Sequence, residues 1–382
     1  MKILLIGEYS GVHTELSKQL KLLGHRVLTV SDGDSYKDFP RDISIVSSKR
    51  AGRIKIVFDI LLDYIGLKGL WCYLKNKRKL SELKRFDIVQ IINPVAIEPF
   101  GALGNFFFLS NIFKNNKNVY LCALGDDCRW VDACLNNKYK YSALDNLSLR
   151  TVAKYSYSLR YKYGFLYRYL QHYVEKKVNA IIPGLVDYEL AYRGVRKTSK
   201  IIRIALPKNI LSISAQVPKL GNAKIVVFHG WQTGRELKKG NYIFDQAMKM
   251  ILKKYGHEVI EYNVVKSVTY NEYIKIIEDS DIFLDQVYSY DRGVNALLGM
   301  AFGCAVFSGF EVDSKPIEDQ DAIGVNAIPD VDEVYKSISY LIDNREQLER
   351  IKQNAIRFVR GNHDPEFIAN EYLHLWKQTH DC

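Results

Sequence analysis

The chain has 382 residues, 47% hydrophobic and 25% charged, with neither Gly nor Pro enriched; that is the make-up of a globular protein, too long for one comfortable core, and it excludes low-complexity and repeat architectures. The net charge of +11 is uneven: residues 1–200 hold 33 Lys and Arg against 18 Asp and Glu, and the remainder 21 against 25. A basic first half calls for an anionic partner (a membrane surface, nucleic acid or a phosphorylated substrate) unless it is only a solvated lysine-rich surface.

KILLIG (2–7) is a short apolar run ending in Gly. It reads as a strand entering a glycine turn, not as a signal peptide. HTELSKQLKLLGHRV places Leu16, Leu20 and Leu23 at helical spacing before Gly24, and VLTVS (27–31) reads as the next strand. This β-turn-α-β unit opens a parallel α/β sheet. FDIVQIINP (86–94), NVYLCALGDD (118–127) and NAIIPG (179–184) supply further strands, giving a Rossmann-like domain over residues 1–205. After IALPKN (204–209) the pattern restarts. KIVVFHG (224–230), HEVIEYNVV (257–265), DIFLDQV (281–287) and CAVFSG (304–309) read as strands alternating with helices at 241–256, 268–280 and 294–303. Two helices fill 330–362 and a last one 365–378. A second Rossmann-like domain is expected over 206–362, with 363–382 a C-terminal helix crossing back to the first. Ligands of open parallel sheets bind beyond the carboxyl ends of the strands, so a cleft between the two sheets is the expected site.

No stretch of 18 apolar residues occurs, so no transmembrane helix is expected. Cys72, Cys122, Cys128, Cys134, Cys304 and Cys382 form no CxxC pair and match no zinc spacing. Reduced thiols in a cytoplasmic protein, and no metal site, are the expectation.

The turn FHGWQTGRELKKGNY (228–242) gathers His229, Gly230, Gly234, Arg235, Lys239 and Gly240 between a strand and a helix. Free backbone N–H groups and two cation types in one turn suit a phosphate. It is neither a Walker A loop nor GxGxxG, and an ordinary polar turn is the alternative. In the first domain, GEYSGVH (7–13) is the matching turn: Gly7 and Gly11 allow close approach, Ser10 and Thr14 are candidate helix caps, and His13 is a candidate base or a packed histidine; Gly7, Glu8, Ser10 and Gly11, with Arg129 and Trp130, are the candidate acceptor-side residues. ALGDDCRW (123–130) offers Asp126 or Asp127 as a proton acceptor and Trp130 as a face for a sugar, the alternative being an Asp–Arg129 pair that orders the loop. LDQVYSYDRGVNALLGMAFG (284–303) puts Asp285 and Gln286 at a strand end, then Asp291, with Gly293 and Val294 opening an apolar helix; these five are further candidate donor-binding residues. Residues 56–79 and 154–173 interleave apolar and aromatic residues with cations, as a membrane interface or an RNA groove would; NFFFLSNIF (105–113) reads as a buried helix. Core packing with solvated charge is the alternative for all three.

Taken together these residues resemble bacterial GT-B fold glycosyltransferases, and more closely a group of surface-polysaccharide transferases. The shared motifs are GEYSGVHTELSKQLKLLGHRV, FPRDI (39–43), IINP (91–94), GDDCRW, HGWQTGRELKKG and DQVYSYDRGVNALLGMAFG, spread over nearly the whole chain. The resemblance implies two Rossmann-like domains with the sugar nucleotide in the second. It implies that Arg235 and Lys239, with Lys238 as substitute, hold the donor diphosphate, and that His13, Asp126 or Asp127 meets the reacting sugar. The broad retaining families carry Glu-x7-Glu before the AMACG-like helix; here Tyr290 and Leu298 stand at those positions, with Asp291 one residue from the first.

The expectation is therefore a glycosyltransferase of cell-surface polysaccharide synthesis. It would move a sugar from a nucleotide donor of unknown base to a glycan, lipid-linked or not, with neither cofactor nor metal. Its place would be the cytoplasm or the inner face of the plasma membrane, held there through the basic half, with no nucleic-acid partner. A sugar-nucleotide epimerase or hydrolase of the same fold, or a glycan-assembly partner without catalysis, are the alternatives.

Overall fold

The computed structural model describes residues 1–34, 37–46, 53–213, 224–231, 234–266 and 270–379. The chain divides into two compact units, Met1–Asn136 with Val152–Ala205 and Pro365–Cys382, and Asn137–Thr151 with Leu206–Asp364. Residues 137–151 thus group with the second unit, and the terminal helix with the first.

The first unit holds strands β1 (Lys2–Ile6), β2 (Arg26–Ser31), β3 (Ile43–Ser44), β4 (Ile88–Ile91), β5 (Val119–Ala123) and β6 (Ala180–Pro183). Its helices are α1 (Val12–Leu22), α2 (Arg53–Tyr64), α3 (Leu70–Leu80), α4 (Gly101–Asn115), α5 (Cys128–Leu135), α6 (Val152–Tyr163), α7 (Phe165–Lys177) and α8 (Val186–Tyr192). All described pairings are parallel, in the order β3-β2-β1-β4-β5-β6. Buried on both faces, such strands need unbroken apolar runs, and in β1 the residues Ile3 to Ile6 are all fully buried. The order reverses between β1 and β4, which is the switch point where the loops after the two strands part and leave room for a ligand.

The second unit holds α9 (Lys208–Ile213), β7 (Ile225–Trp231), α10 (Glu236–Lys239), α11 (Asn241–Tyr255), β8 (Ile260–Lys266), α12 (Tyr270–Glu278), β9 (Ile282–Leu284), α13 (Val294–Ala301), β10 (Ala305–Ser308), β11 (Val325–Asn326), α14 (Val331–Asp343) and α15 (Arg345–Asn362). Its sheet, again parallel in every described pairing, runs β11-β10-β9-β7-β8, with the switch point between β7 and β9.

α16 (Pro365–Gln378) belongs to the first unit. Its buried stripe Ile368, Ala369, Tyr372, Leu373 and Trp376 packs with Ile3 and Leu5 of β1, Leu16 and Leu20 of α1, and Tyr120 of β5. The spacing of that stripe is the helical i, i+4 pattern of a one-sided amphipathic helix.

Candidate functional site

In the second unit the turn after β7 and the end of β9 meet at the switch point. Lys239 Nζ lies 2.7 Å from Oδ1 of the buried Asp285, whose Oδ2 accepts a bond of 3.1 Å from Ser308 Oγ. The backbone is tied in the same place, with Val287 N–H donating to Lys239 O at 3.0 Å. Gly240 links α10 to α11 at φ +72°, and a Cβ there would stand 2.3 Å from Val287 Cγ2, so only glycine fits. One of the three ammonium donors of Lys239 goes to Asp285, and the carboxylate fixes where the charge sits. Arg235 is exposed at the start of α10, and Gly234 N–H donates to Glu236 Oε1 at 2.9 Å; Gln232 and Thr233 lie outside the described residues. Gly293 caps α13 without a side-chain bond, in open space, leaving Val294 at the first turn of an uncapped helix. The partial positive charge of such an end suits an anion.

Several expected ligands are engaged elsewhere. His229 is fully buried in β7: Asn241 Nδ2 donates to its Nε2 at 2.8 Å, and its Nδ1 meets Tyr262 Oη at 2.8 Å, while that hydroxyl donates to Asp245. Burial lowers its pKa to about 3, so it is a neutral histidine with both ring nitrogens engaged by protein groups. Asp291 takes Arg292 N–H at 2.8 Å and Arg292 Nη2 at 3.2 Å. Gln286 donates to Ser289 Oγ at 2.9 Å. Tyr290, at the first Glu position, is turned to the 137–151 segment: its hydroxyl accepts from Lys140 N–H, and Tyr139 and Tyr141 pack on its ring at 5.3 and 5.2 Å. Leu298 is buried in α13.

In the first unit, Gly7 (φ +83°) closes the switch point, since a Cβ there would lie 2.3 Å from Ala96 O. Glu8 is 4% exposed; its Oε2 accepts from Thr14 N–H at 2.8 Å and Thr14 Oγ1 at 2.7 Å. The carboxyl thereby covers the first turn of α1. Ser10 and Thr14 do not cap that helix: Gly11 is its N-cap, Ser10 sits at φ +54° with its N–H on Asp34, and the Thr14 hydroxyl turns back to Glu8. Burial raises the Glu8 pKa to about 7, opposed by the Thr14 bonds.

His13 is buried; its Nδ1 lies 2.8 Å from Gly7 O and Gln90 Nε2 lies 3.2 Å from its Nε2. A ring donating from Nδ1 and accepting at Nε2 is neutral, consistent with a pKa lowered by burial to about 4. Both nitrogens are engaged, which removes His13 from the candidate bases. Asp127 is buried as the N-cap of α5, accepting from Trp130 N–H at 2.7 Å and from Tyr192 Oη. Burial raises its pKa to about 7. Its role is the cap that the neighbouring Asp126 does not fill. Asp126 is half-buried at the sheet's carboxyl edge, with Ser158 Oγ donating to Oδ2. Arg129 forks onto Glu175 with two bonds of 2.7 Å, not onto an Asp, and Trp130 is buried rather than offered to a sugar.

The sequence reading missed the residues that shape these edges. Asn93, quoted only as part of IINP, is fully buried and donates to Leu124 O at 2.7 Å and Asp126 O at 3.3 Å, tying the ends of β4 and β5. An Asn before a Pro at a strand end was the available signal. Ser308, the second partner of Asp285, carried none.

No protein-family model matches the chain, and no curated protein matches it. Its fold is that of GT-B glycosyltransferases. A mutant of TarM from S. aureus, solved with Fondaparinux, alpha-GlcNAc-glycerol and UDP, has a TM-score of 0.61 at 11% identity over 98% of this chain and 100% of that one. HepE from Anabaena with UDP and glucose has a TM-score of 0.57 at 13% identity over 99% of each chain. A Listeria monocytogenes protein provisionally named a UDP-N-acetylglucosamine 2-epimerase has a TM-score of 0.50 at 10% identity over 97% of this chain and 94% of that one.

Proposed function

We propose that this GT-B chain is a glycosyltransferase that binds a nucleoside-diphosphate sugar in its second unit and transfers the sugar to a glycan acceptor of cell-surface polysaccharide synthesis. The observation that carries the reading is the Lys239–Asp285 pair at the β7/β9 switch point, one helical turn after Arg235. Departure of the nucleoside diphosphate builds negative charge on phosphate oxygens. The Lys239 ammonium, already held by Asp285, would stabilise that charge without reorganising, with Arg235 and helix amides as further donors. The TarM and HepE structures hold UDP, which makes UDP the first nucleotide to test. Asp126 is the remaining carboxylate of the three candidate bases and is assigned to the acceptor hydroxyl. In this reading the diphosphate charge is met by the protein's own cations and amides, and no metal is needed. The acceptor is assigned as lipid-linked and presented at an anionic membrane face.

The test is thermal unfolding with UDP, GDP, dTDP and CMP, repeated with Arg235→Ala and in EDTA. A ligand that binds only the folded state raises the midpoint. One nucleotide should do so, with the rise lost in the variant and kept in the chelator. No rise with any nucleotide overturns the donor site. The shared fold of the Listeria protein favours one second reading, a sugar-nucleotide epimerase. That reading predicts donor turnover with no acceptor present.

A further inference from the structure

The three aromatic stretches that the donor reading does not use come together on one face of the first unit. Tyr73 of α3 stacks on Phe107 of α4 with centroids 6.4 Å apart. Phe106 touches Phe107 at 5.6 Å and Tyr169 of α7 at 5.5 Å. At the other end of the face, Gly66 after α2 lies against Leu166 of α7 so closely that a Cβ would stand 2.6 Å from the Leu166 Cβ. Around this seam the large apolar residues point outward: Trp71 is 69% exposed, Phe165 79%, Tyr163 62%, Tyr169 56%, and Ile65, Leu67, Leu74 and Phe107 between 42% and 47%. A cluster of this kind on one unit is not what a solvated surface presents.

The charge on the same helices has one sign. No acidic residue occurs from Tyr64 to Ser81 or in α4, and the single carboxylate of α6 and α7, Glu175, is held by the Arg129 fork. Lys75, Lys77, Arg78 and Lys79 of α3 and Arg168 of α7 are exposed. Lys75 Nζ lies 5.6 Å over the Trp71 ring. Not all of the aromatic-basic stretch is surface: Arg160 is buried, paired with Asp63 and Glu98 and faced by Tyr157, Tyr161 and Tyr167, so that part is core.

The geometry points to this face, α3 with the α2–α3 turn, α4 and α7, as the surface by which the protein sits on an anionic lipid bilayer. Trp and Tyr with one apolar and one polar end, beside cations on long stems, match the headgroup boundary. Leucines, an isoleucine and two phenylalanines match the acyl region and have no use in a phosphate-backbone groove. A second copy of the chain is disfavoured, because a two-fold contact would set like charges against each other. No described helix is long and apolar enough to cross a membrane, so the attachment is by a surface. The inference gives the lipid-linked-acceptor reading its membrane face, but its geometry stands without that reading.

The experiment is co-sedimentation of the whole chain with phosphatidylcholine vesicles and with vesicles containing phosphatidylglycerol, at low and high salt. Wild type should bind the anionic vesicles and be released by salt. Trp71→Ser with Phe165→Ser, both exposed and so expected to fold, should weaken binding at least 10-fold. Neutralising Lys75, Lys77, Arg78 and Lys79 with Gln should weaken it by about 100-fold or more, at roughly fivefold per basic residue. UDP thermal shifts on the same proteins should not change, so failure of the membrane face and failure of the donor site read out separately. Three results overturn the inference: no binding to either vesicle, binding that both variants retain, or a wild-type dimer that Trp71→Ser converts to monomer. Binding of a single-stranded oligonucleotide that the same variants lose, without vesicle binding, would assign the face to nucleic acid instead.

Discussion

Lys239 Nζ stands 2.7 Å from Asp285 Oδ1, so a cation from the turn after β7 is held by an acid from the end of β9. They come from the segments that follow the neighbouring strands β7 and β9, at the point where the strand order reverses. Lys239→Ala should weaken UDP binding by about 10- to 100-fold, the worth of one charge-assisted hydrogen bond. Asp285→Ala should lower folding stability as well, by about 1–3 kcal/mol, because it leaves a half-buried ammonium without its partner. Calorimetric titration with UDP and urea unfolding check the two halves. Unchanged UDP affinity in Lys239→Ala would remove the phosphate role.

On the proposed function, the adjacent acids Asp126 and Asp127 divide the work, the first as base and the second as helix cap. Asp127→Ala should cost about 1 kcal/mol for the lost helix cap, and more for the buried Tyr192 hydroxyl left behind. Asp127→Asn keeps the cap and should keep transfer within about threefold, whereas Asp126→Asn should lower kcat by about 100-fold or more. Initial rates of nucleotide release with an acceptor decide this, and the reverse pattern would move the base to Asp127.

Glu8 and His13 pull the pH dependence of stability in the first unit in opposite directions, with Asp32 and Asp127, both raised by burial, on the side of Glu8. Burial raises Glu8 from 4.5 to about 7, so the folded state keeps a proton the unfolded chain has released. That contribution is full below 4.5 and is lost as pH rises through 7. Burial lowers His13 from 6.5 to about 4; its contribution is full above 6.5 and is lost as pH falls through 4. Between these limits they offset each other. Glu8→Gln removes one of the contributions that oppose His13, so the variant should lose stability toward acid more steeply than wild type between pH 6.5 and 4. Urea unfolding across that range measures it, and equal slopes would contradict the assignment.

Gly240→Ala tests the turn itself. With φ at +72° and a new Cβ 2.3 Å from Val287 Cγ2, the substitution should destabilise by about 2 kcal/mol or more. Gly234→Ala also sits at positive φ but meets nothing within 4 Å, and should cost only about 1–2 kcal/mol. Equal midpoints for the two variants would show that the Val287 contact is not rigid.

The strand and helix pattern was legible because each parallel strand is an apolar run closed by a turn residue, as in KILLIG and KIVVFHG. The Lys239 turn was legible for the same reason: it follows a strand and opens a helix. The roles of single residues were not. His13 and His229 look like candidate bases in a sequence, and only the amides of Gln90 and Asn241, 77 and 12 residues away, show that both rings are packed neutral. Asp126 and Asp127 are chemically alike, and the backbone direction at the start of α5 decides which one caps it. The segment 137–151 has no periodicity to read, and its partners Tyr288, Tyr290 and Glu311 lie more than 140 residues on.

The place of α16 also sets the order of events on the ribosome. Trp376 and Tyr372 complete the core beneath β1 and β5, yet they are made after every residue of the second unit. At ordinary elongation rates roughly 10–35 s separate the synthesis of residue 205 from that of α16. Through that interval the apolar groove formed by Ile3, Leu5, Leu16 and Leu20 waits open, while the second unit has all the chain it needs. A premature stop before residue 365 would leave every residue of the second unit in place and a first unit without its last core helix.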